Sequence, residues 1–212
     1  LEKRRSNPST YLLPNAADIH RLLAAGESPE PSEMAQIPRP RIGLAGSIGY
    51  RVDADLLAFI AAQRPRWSLV LIGPADRGPV AARLGRFSNV HFLGHKPYGD
   101  LGRYLRWIDV GLIPYRVLPE MGNPLKLYDY LAFGKPVVAT PILGMDRFSD
   151  WVLIGRTPAD FVALVERALG QTDPALVARR QEYARKQSWE ARARTAWELV
   201  GARMQEAQAR AR

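Results

Sequence analysis

Asp109-Val-Gly-Leu-Ile-Pro114, then Asn123-Pro-Leu-Lys126-Leu-Tyr-Asp129-Tyr-Leu-Ala-Phe-Gly134, then Lys135-Pro-Val-Val-Ala-Thr140 is the stretch on which the fold turns. It reads as a buried apolar strand, a helix over about 124–134 and a second buried strand. Neither apolar run alternates with polar residues, so both faces of these strands are covered. Upstream the same alternation recurs. Ile42-Gly-Leu-Ala-Gly46, Ser68-Leu-Val-Leu-Ile-Gly73 and Val90-His-Phe-Leu-Gly94 are strands that end in glycine. Leu56, Leu57, Ile60 and Ala61 follow helical spacing behind Asp53, a plausible cap, and helical stretches are expected near 79–87 and 98–107. Apolar strands alternating with helices predict an α/β fold, a Rossmann-like doubly wound parallel sheet covered on both faces. Ligands of such sheets bind beyond the carboxyl ends of the strands.

Outside this block lie two other regions. Residues 1–40 read as an arm and linker, with a helix end at Leu1–Arg5, a short strand at Tyr11-Leu-Leu13, and a proline- and glutamate-rich surface linker from Gly26 to Pro40. The α/β domain is assigned to 41–187. Its last helices are the stretch from Pro158 to Leu169 and one opened by Asp173-Pro174. Residues 188–212 form a long crossover helix with a narrow apolar stripe: Trp189, Ala193, Trp197, Val200 and Met204. On a charged helix that stripe needs a partner surface. The chain begins at Leu1 without a signal-peptide pattern, as a fragment or processed product would.

Composition excludes several classes. The length of 212 residues favours one domain plus extra segments over two full domains. No window approaches the ~18 consecutive apolar residues of a membrane span. The absence of cysteine removes disulfide frameworks, thiolate nucleophiles and cysteine-ligated zinc. Net charge is +9, with 30 basic residues of which all but Lys3, Lys96, Lys126, Lys135 and Lys186 are arginine. From Leu176 onward nine basic residues face four glutamates, so more than half of the excess sits on the tail. Interleaved glutamates favour a solvated helix there over a nucleic-acid grip.

Three constellations carry chemistry. Gly46-Ser47-Ile-Gly49 with Arg51 lets backbone approach a phosphate, although the same glycines also suit a tight strand-to-helix turn. Only two glycines of the dinucleotide fingerprint are present, which argues against an oxidoreductase. His95-Lys96, directly after the third strand, can meet a base or a phosphate, or belong to a solvated loop. The third is the opening helix. Asn123 is a good cap and Pro124 suits a first helical position. Lys126, beyond Leu125, places a cation in a first turn that the helix dipole disfavours. Asp129, three residues on, shares its face and can accept both hydroxyls of a ribose. An exposed ion pair, worth ~0.2–0.5 kcal/mol, would not account for a cation in that turn. One histidine without ligand-spaced neighbours makes no metal site.

These residues, in this order, resemble the C-terminal nucleotide-sugar-binding domain of GT-B glycosyltransferases of the group 1 / family 4-like superfamily. The resemblance spans about residues 10–200 and rests most on Pro124-Leu-Lys-Leu-Tyr-Asp-Tyr-Leu131 through Gly134-Lys-Pro-Val-Val-Ala139. It implies the C-terminal half of a GT-B fold. It also implies a nucleoside-diphosphate-sugar donor, of UDP or GDP type, as substrate, with no cofactor and no metal. Gly46, Ser47, Gly49 and Arg51 would approach the phosphates, His95 and Lys96 the base, Lys126 the diphosphate and Asp129 the ribose. Arg116 is a further phosphate or sugar candidate. Asp129 is one methylene shorter than the family's usual glutamate. A second family glutamate falls at Met121, with the catalytic candidate Glu120 one place off. The acceptor-binding N-terminal domain is missing, so a glycan or glycoconjugate acceptor, a cytoplasmic setting and peripheral contact at the inner membrane face belong to the full-length protein, and the isolated domain would be inactive. The alternatives are a nucleotide-binding module or 2-epimerase-like enzyme on the same fold, and a non-enzymatic polyanion- or membrane-binding module. No nucleic-acid partner is implied.

Overall fold

The computed structural model describes residues 2–7, 9–75, 78–119, 122 and 124–210. Strands β1 (Arg41–Ala45), β2 (Ser68–Ile72), β3 (Val90–Gly94), β4 (Val110–Ile113), β5 (Val137–Ala139) and β6 (Val152–Ile154) form one sheet. Their order is β3-β2-β1-β4-β5-β6, and each neighbouring pair is parallel. The chain winds outward from β1 to β3, then returns to the other side of β1 to lay down β4. The boundary between β1 and β4 is therefore the switch point at which such sheets open a crevice. Five of these strands were expected. β6 has only three residues, too few to show a period.

The helices are α1 (Glu2–Ser6), α2 (Ile19–Gly26), α3 (Ser32–Ala35), α4 (Ala54–Gln63), α5 (Pro79–Leu84) and α6 (Gly102–Leu105). They continue with α7 (Lys126–Ala132), α8 (Pro158–Leu169), α9 (Pro174–Arg185) and α10 (Trp189–Arg210). Strand alternation sorts the core onto two faces. Val70 and Ile72 of β2 meet Leu22, Tyr128 and Leu131 on one side. Leu69 and Leu71 meet Leu57, Ile60 and Phe161 on the other. The caps read from sequence form: Asp53 accepts from the Leu56 amide at 2.9 Å and Asp173 from the Ala175 amide at 2.8 Å.

Two features of the first forty residues differ from expectation. Tyr11–Leu13 forms no strand and is exposed. The tract expected as a surface linker instead packs into the domain, with Met34 and Ile37 buried in the core that also takes Ile19 and Leu22. Short helices between prolines leave too few residues for a visible period. Glu30 and the Ile37 carbonyl hold the buried Arg41 guanidinium, which ties the tract to the start of β1. The crossover helix starts against the same arm: Ala17 bridges Ser188, and Arg192 donates to the Pro14 carbonyl at 3.0 Å. Farther along it, Trp197 is 79% exposed, and Val200 and Met204 are also exposed, so the stripe has no cover within the described residues. Among those residues no helix is long and apolar enough to cross a membrane.

At the switch point the β1–β4 register runs Ile42↔Val110 and Gly43↔Gly111, although the strands continue to Ala45 and Ile113. The Tyr130 hydroxyl of α7 fills that place. It accepts from the Ala45 amide at 2.8 Å and lies 3.2 Å from both the Gly43 and Leu112 carbonyl oxygens. A Cβ on Gly111 would fall 2.5 Å from the Tyr130 ring, so the glycine makes room for it. Tyr130→Phe leaves the buried Ala45 amide without an acceptor, at a cost of about 1–3 kcal/mol. We expect a melting temperature lower by roughly 2–4 °C per kcal/mol lost; an unchanged melting curve would contradict the bridging role.

Candidate functional site

Directly above this junction lies a cavity of about 420 Å³, lined by residues from each element that meets there. Ala45 and Gly46 come from the end of β1, Tyr115 from the end of β4, and Pro124, Leu125, Lys126 and Asp129 from the start of α7. Tyr98 arrives from the loop after β3, and Asn15 from the arm. A neighbouring hollow of about 210 Å³, lined by Ser47, Gly49, Tyr50, Arg51 and Tyr115, shares Arg51 and Tyr115 with it. A larger groove of about 660 Å³ shares Asn15 and Gly122, but among the described residues Arg147 is its one charged lining side chain and none of its lining charges is buried. The buried charges line the smaller cavity.

Lys126 and Asp129 line that cavity while almost wholly buried, at 7% and 4% exposure. Among the described residues the Lys126 Nζ has no hydrogen-bond partner, and it sits 4.5 Å from the centroid of the Tyr115 ring. A tyrosine face attracts a cation but takes none of its three protons. Asp129 Oδ1 accepts from the Tyr98 hydroxyl at 3.1 Å, and Tyr98 accepts in turn from the Asp18 amide at 3.3 Å. Gly46 sits beside the lysine with φ +114°, and a Cβ there would lie 3.1 Å from Nζ. The backbone conformation favours glycine, and a side chain there would also crowd the lysine.

Burial dominates both charges. It pulls the Lys126 ammonium down from 10.5 to about 7, against a smaller opposing pull from Asp129. It pushes the Asp129 carboxyl up from 3.8 to about 7, against the Tyr98 hydrogen bond and the Lys126 charge. Tyr115, partly buried, is pushed by that burial up to about 12 and stays a neutral phenol beside the lysine.

Residues 39–171 match the model of the family described as Glycosyl transferases group 1. The chain belongs to that family. The group 1 chain is 33% identical, over 157 residues, to a putative teichuronic acid biosynthesis glycosyltransferase, TuaH, of Bacillus subtilis. That match takes 70% of this chain and 40% of the relative, so the group 1 chain spans well under half of the relative's length. Two solved structures share the fold. Sucrose-phosphate synthase of Thermosynechococcus elongatus is 22% identical with a TM-score of 0.70, over 93% of this chain and 53% of that one. Anabaena Alr3699/HepE, solved in complex with UDP and glucose, is 17% identical with a TM-score of 0.68, over 90% and 56%.

Of the residues singled out from the sequence, the structure brings Gly46, Arg51, Pro124, Leu125, Lys126 and Asp129 to one cavity, with Ser47 and Gly49 in the adjoining hollow. Others lie apart. Lys96 pairs with Glu33 at 2.8 Å and lies over the Tyr104 ring, which commits it to the arm. His95 and Arg116 are exposed and line neither space. Asn123 and Glu120 fall outside the described residues. Backbone amides contribute less than expected: Gly46 N–H donates to the Ile72 carbonyl at 2.8 Å. Leu127, Tyr128 and Asp129 donate to the Pro124 and Leu125 carbonyls. The positively charged side chain that α7 presents to the cavity is Lys126. Tyr98 and Tyr115 are additions that sequence reading missed. An aromatic at a strand end reads as packing, and only the fold shows which ring turns inward.

The shifted pair sets a pH dependence. Between about pH 3.8 and 7 the folded chain holds an Asp129 proton that the unfolded chain has lost, so this group's contribution to stability falls as pH rises. Between about pH 7 and 10.5 the unfolded chain holds a Lys126 proton that the folded chain lacks, so stability rises. Lys126→Met should abolish the upper rise and, by removing a buried unsatisfied cation, stabilise the ligand-free chain by roughly 1–4 kcal/mol at pH 7. Urea titrations across pH 6–10 test this, and a less stable variant would refute it.

Proposed function

We propose that the cavity binds a nucleoside-diphosphate-sugar donor, and that the chain is the donor-binding half of a glycosyltransferase acting on a glycan or glycoconjugate. The observation that carries this is Lys126: a buried ammonium without a hydrogen-bond partner among the described residues, facing a cavity at the switch point of a parallel sheet. A diphosphate supplies what the site lacks, and its charge restores the protonated lysine that burial suppresses. Asp129, one turn along, accepts hydroxyl protons from the ribose. Arg51 borders both hollows, where the diphosphate meets the transferred sugar. As the glycosidic bond breaks, negative charge grows on the departing diphosphate. Fixed cations there favour the transition state over the ground state.

The family and the fold support this reading, and so do the ligands of the Anabaena structure, UDP and glucose. The teichuronic acid assignment of the Bacillus relative favours a polysaccharide product. The acceptor and any membrane contact belong to the greater length that such relatives possess.

Titration of the chain with UDP, GDP and ADP, followed by calorimetry and thermal shift, tests the proposal. At 100 times Kd a ligand stabilises by about 2.7 kcal/mol, so even weak binding registers. We expect one of the three to bind, and Lys126→Met to weaken it roughly tenfold to a hundredfold, the loss of one charge-assisted contact. We also expect no sugar transfer by these 212 residues alone. A folded sample that responds to none of the nucleotides would rule the reading out.

A further inference from the structure

Asp129 is an incomplete diol receptor. Its carboxylate has two oxygens, and Oδ1 is already engaged by the Tyr98 hydroxyl at 3.1 Å. Among the described residues no donor reaches Oδ2. One carboxylate oxygen with a hydrogen bond already in place is poorly suited to accept from two adjacent hydroxyls at once. The partner that engages it is itself part of the cavity wall.

The Tyr98 hydroxyl has one proton and two lone pairs. The proton goes to Asp129, one lone pair takes the Asp18 amide at 3.3 Å, and the other remains. Burial and the neighbouring carboxylate raise the Tyr98 phenol above its ordinary range, so the proton stays on the tyrosine. Held from both sides, the hydroxyl has a set orientation before any ligand arrives. Residues 98–100 form a single 3₁₀ turn entered through Pro97, and this turn packs against α2, whose cap is Asp18. The ring is thereby fixed by two segments remote in sequence.

We infer that Tyr98 is a specificity-determining residue of this site: its hydroxyl accepts from one hydroxyl of the nucleotide's ribose while Asp129 Oδ2 accepts from the other. Tyr98 and Asp129 then form a two-part receptor in which each supplies one acceptor atom. The inference rests on the donor-site reading above. It adds a discriminating group on the loop after β3, where His95 and Lys96 were the sequence candidates. A nucleotide without the ribose hydroxyls has nothing to offer either acceptor, and of the two Asp129, 4% exposed, is the buried one whose unmatched oxygen rejects the analogue.

Tyr98→Phe keeps the ring and removes only the hydroxyl. The experiment measures binding of UDP, GDP and ADP to the wild-type chain, then compares the one that binds with its 2′,3′-dideoxy form on both proteins. We expect the wild type to prefer the ribonucleotide. We expect Tyr98→Phe to lose about three- to tenfold in affinity for the ribonucleotide, with the dideoxy form bound equally by both proteins. Ribonucleotide and dideoxynucleotide affinities that fall together would make Tyr98 merely structural, and affinities that both stay put would leave it without a role. Either result overturns the inference while leaving the donor site intact. Failure of the wild type to bind any of the three nucleotides would remove the donor-site reading itself, and this inference with it.

Discussion

One hydroxyl, buried where β1 and β4 stop pairing, makes the rest of this structure possible. A parallel sheet gains stability from an unbroken ladder, yet its binding crevice requires two adjacent strands to part. Parting strands inside a protein exposes amides and carbonyls to an apolar medium, which is costly unless each finds a partner. Tyr130 resolves the conflict by reaching down from α7 to the Ala45 amide and the two nearby carbonyls. The same helix carries Lys126 and Asp129 on its first turn, so the group that closes the floor also sets the height of the two charges above it. Gly43 and Gly111, opposed across the junction, let Ile108 and the Tyr130 ring approach the strands closely.

Above that floor, the site is arranged against the stability of the empty protein. Burial moves Lys126 and Asp129 toward their neutral forms, and among the described residues the ammonium has no acceptor. A helix built for stability alone would place neither residue there. The unfavourable term has a compensating use. Groups held in place without water require little reorganisation when a complementary charge enters, and their interaction with it is strengthened by the same low polarity that penalises them alone. Loss of stability and capacity for binding share a physical origin.

Much of this was legible from residue order. Apolar runs without alternation required two covered faces, and the six-stranded order agrees with the doubly wound sheet they implied. Lys126 and Asp129 stood out because a cation in a first helical turn opposes the backbone dipole. Other parts were hidden for definite reasons. Which side chain turns inward after a strand end depends on a few loop dihedrals, so His95 and Lys96 were chosen where Tyr98 lines the cavity. Lys96 has a better use nearby in Glu33, a residue 63 positions away whose proximity no local pattern reveals. The tract from Gly26 to Pro40 looked like a linker because proline marks irregular backbone equally in solvent and in a core. Amide direction is equally invisible: the glycine turn at Gly46 was expected to offer its N–H to a ligand, but the β2 carbonyl of Ile72 already holds it.

The bridge between Ala17 and Ser188, reinforced by Arg192 on the Pro14 carbonyl, has a mechanical meaning. It brings together two points 171 positions apart in the chain and closes everything between them into a ring. Both segments leading out of that ring, the arm before it and α10 after it, leave through the same spot. Two connections at separate places would brace a body against rotation. Two at one place tie the sheet, its helices and the cavity to both segments through one shared anchor.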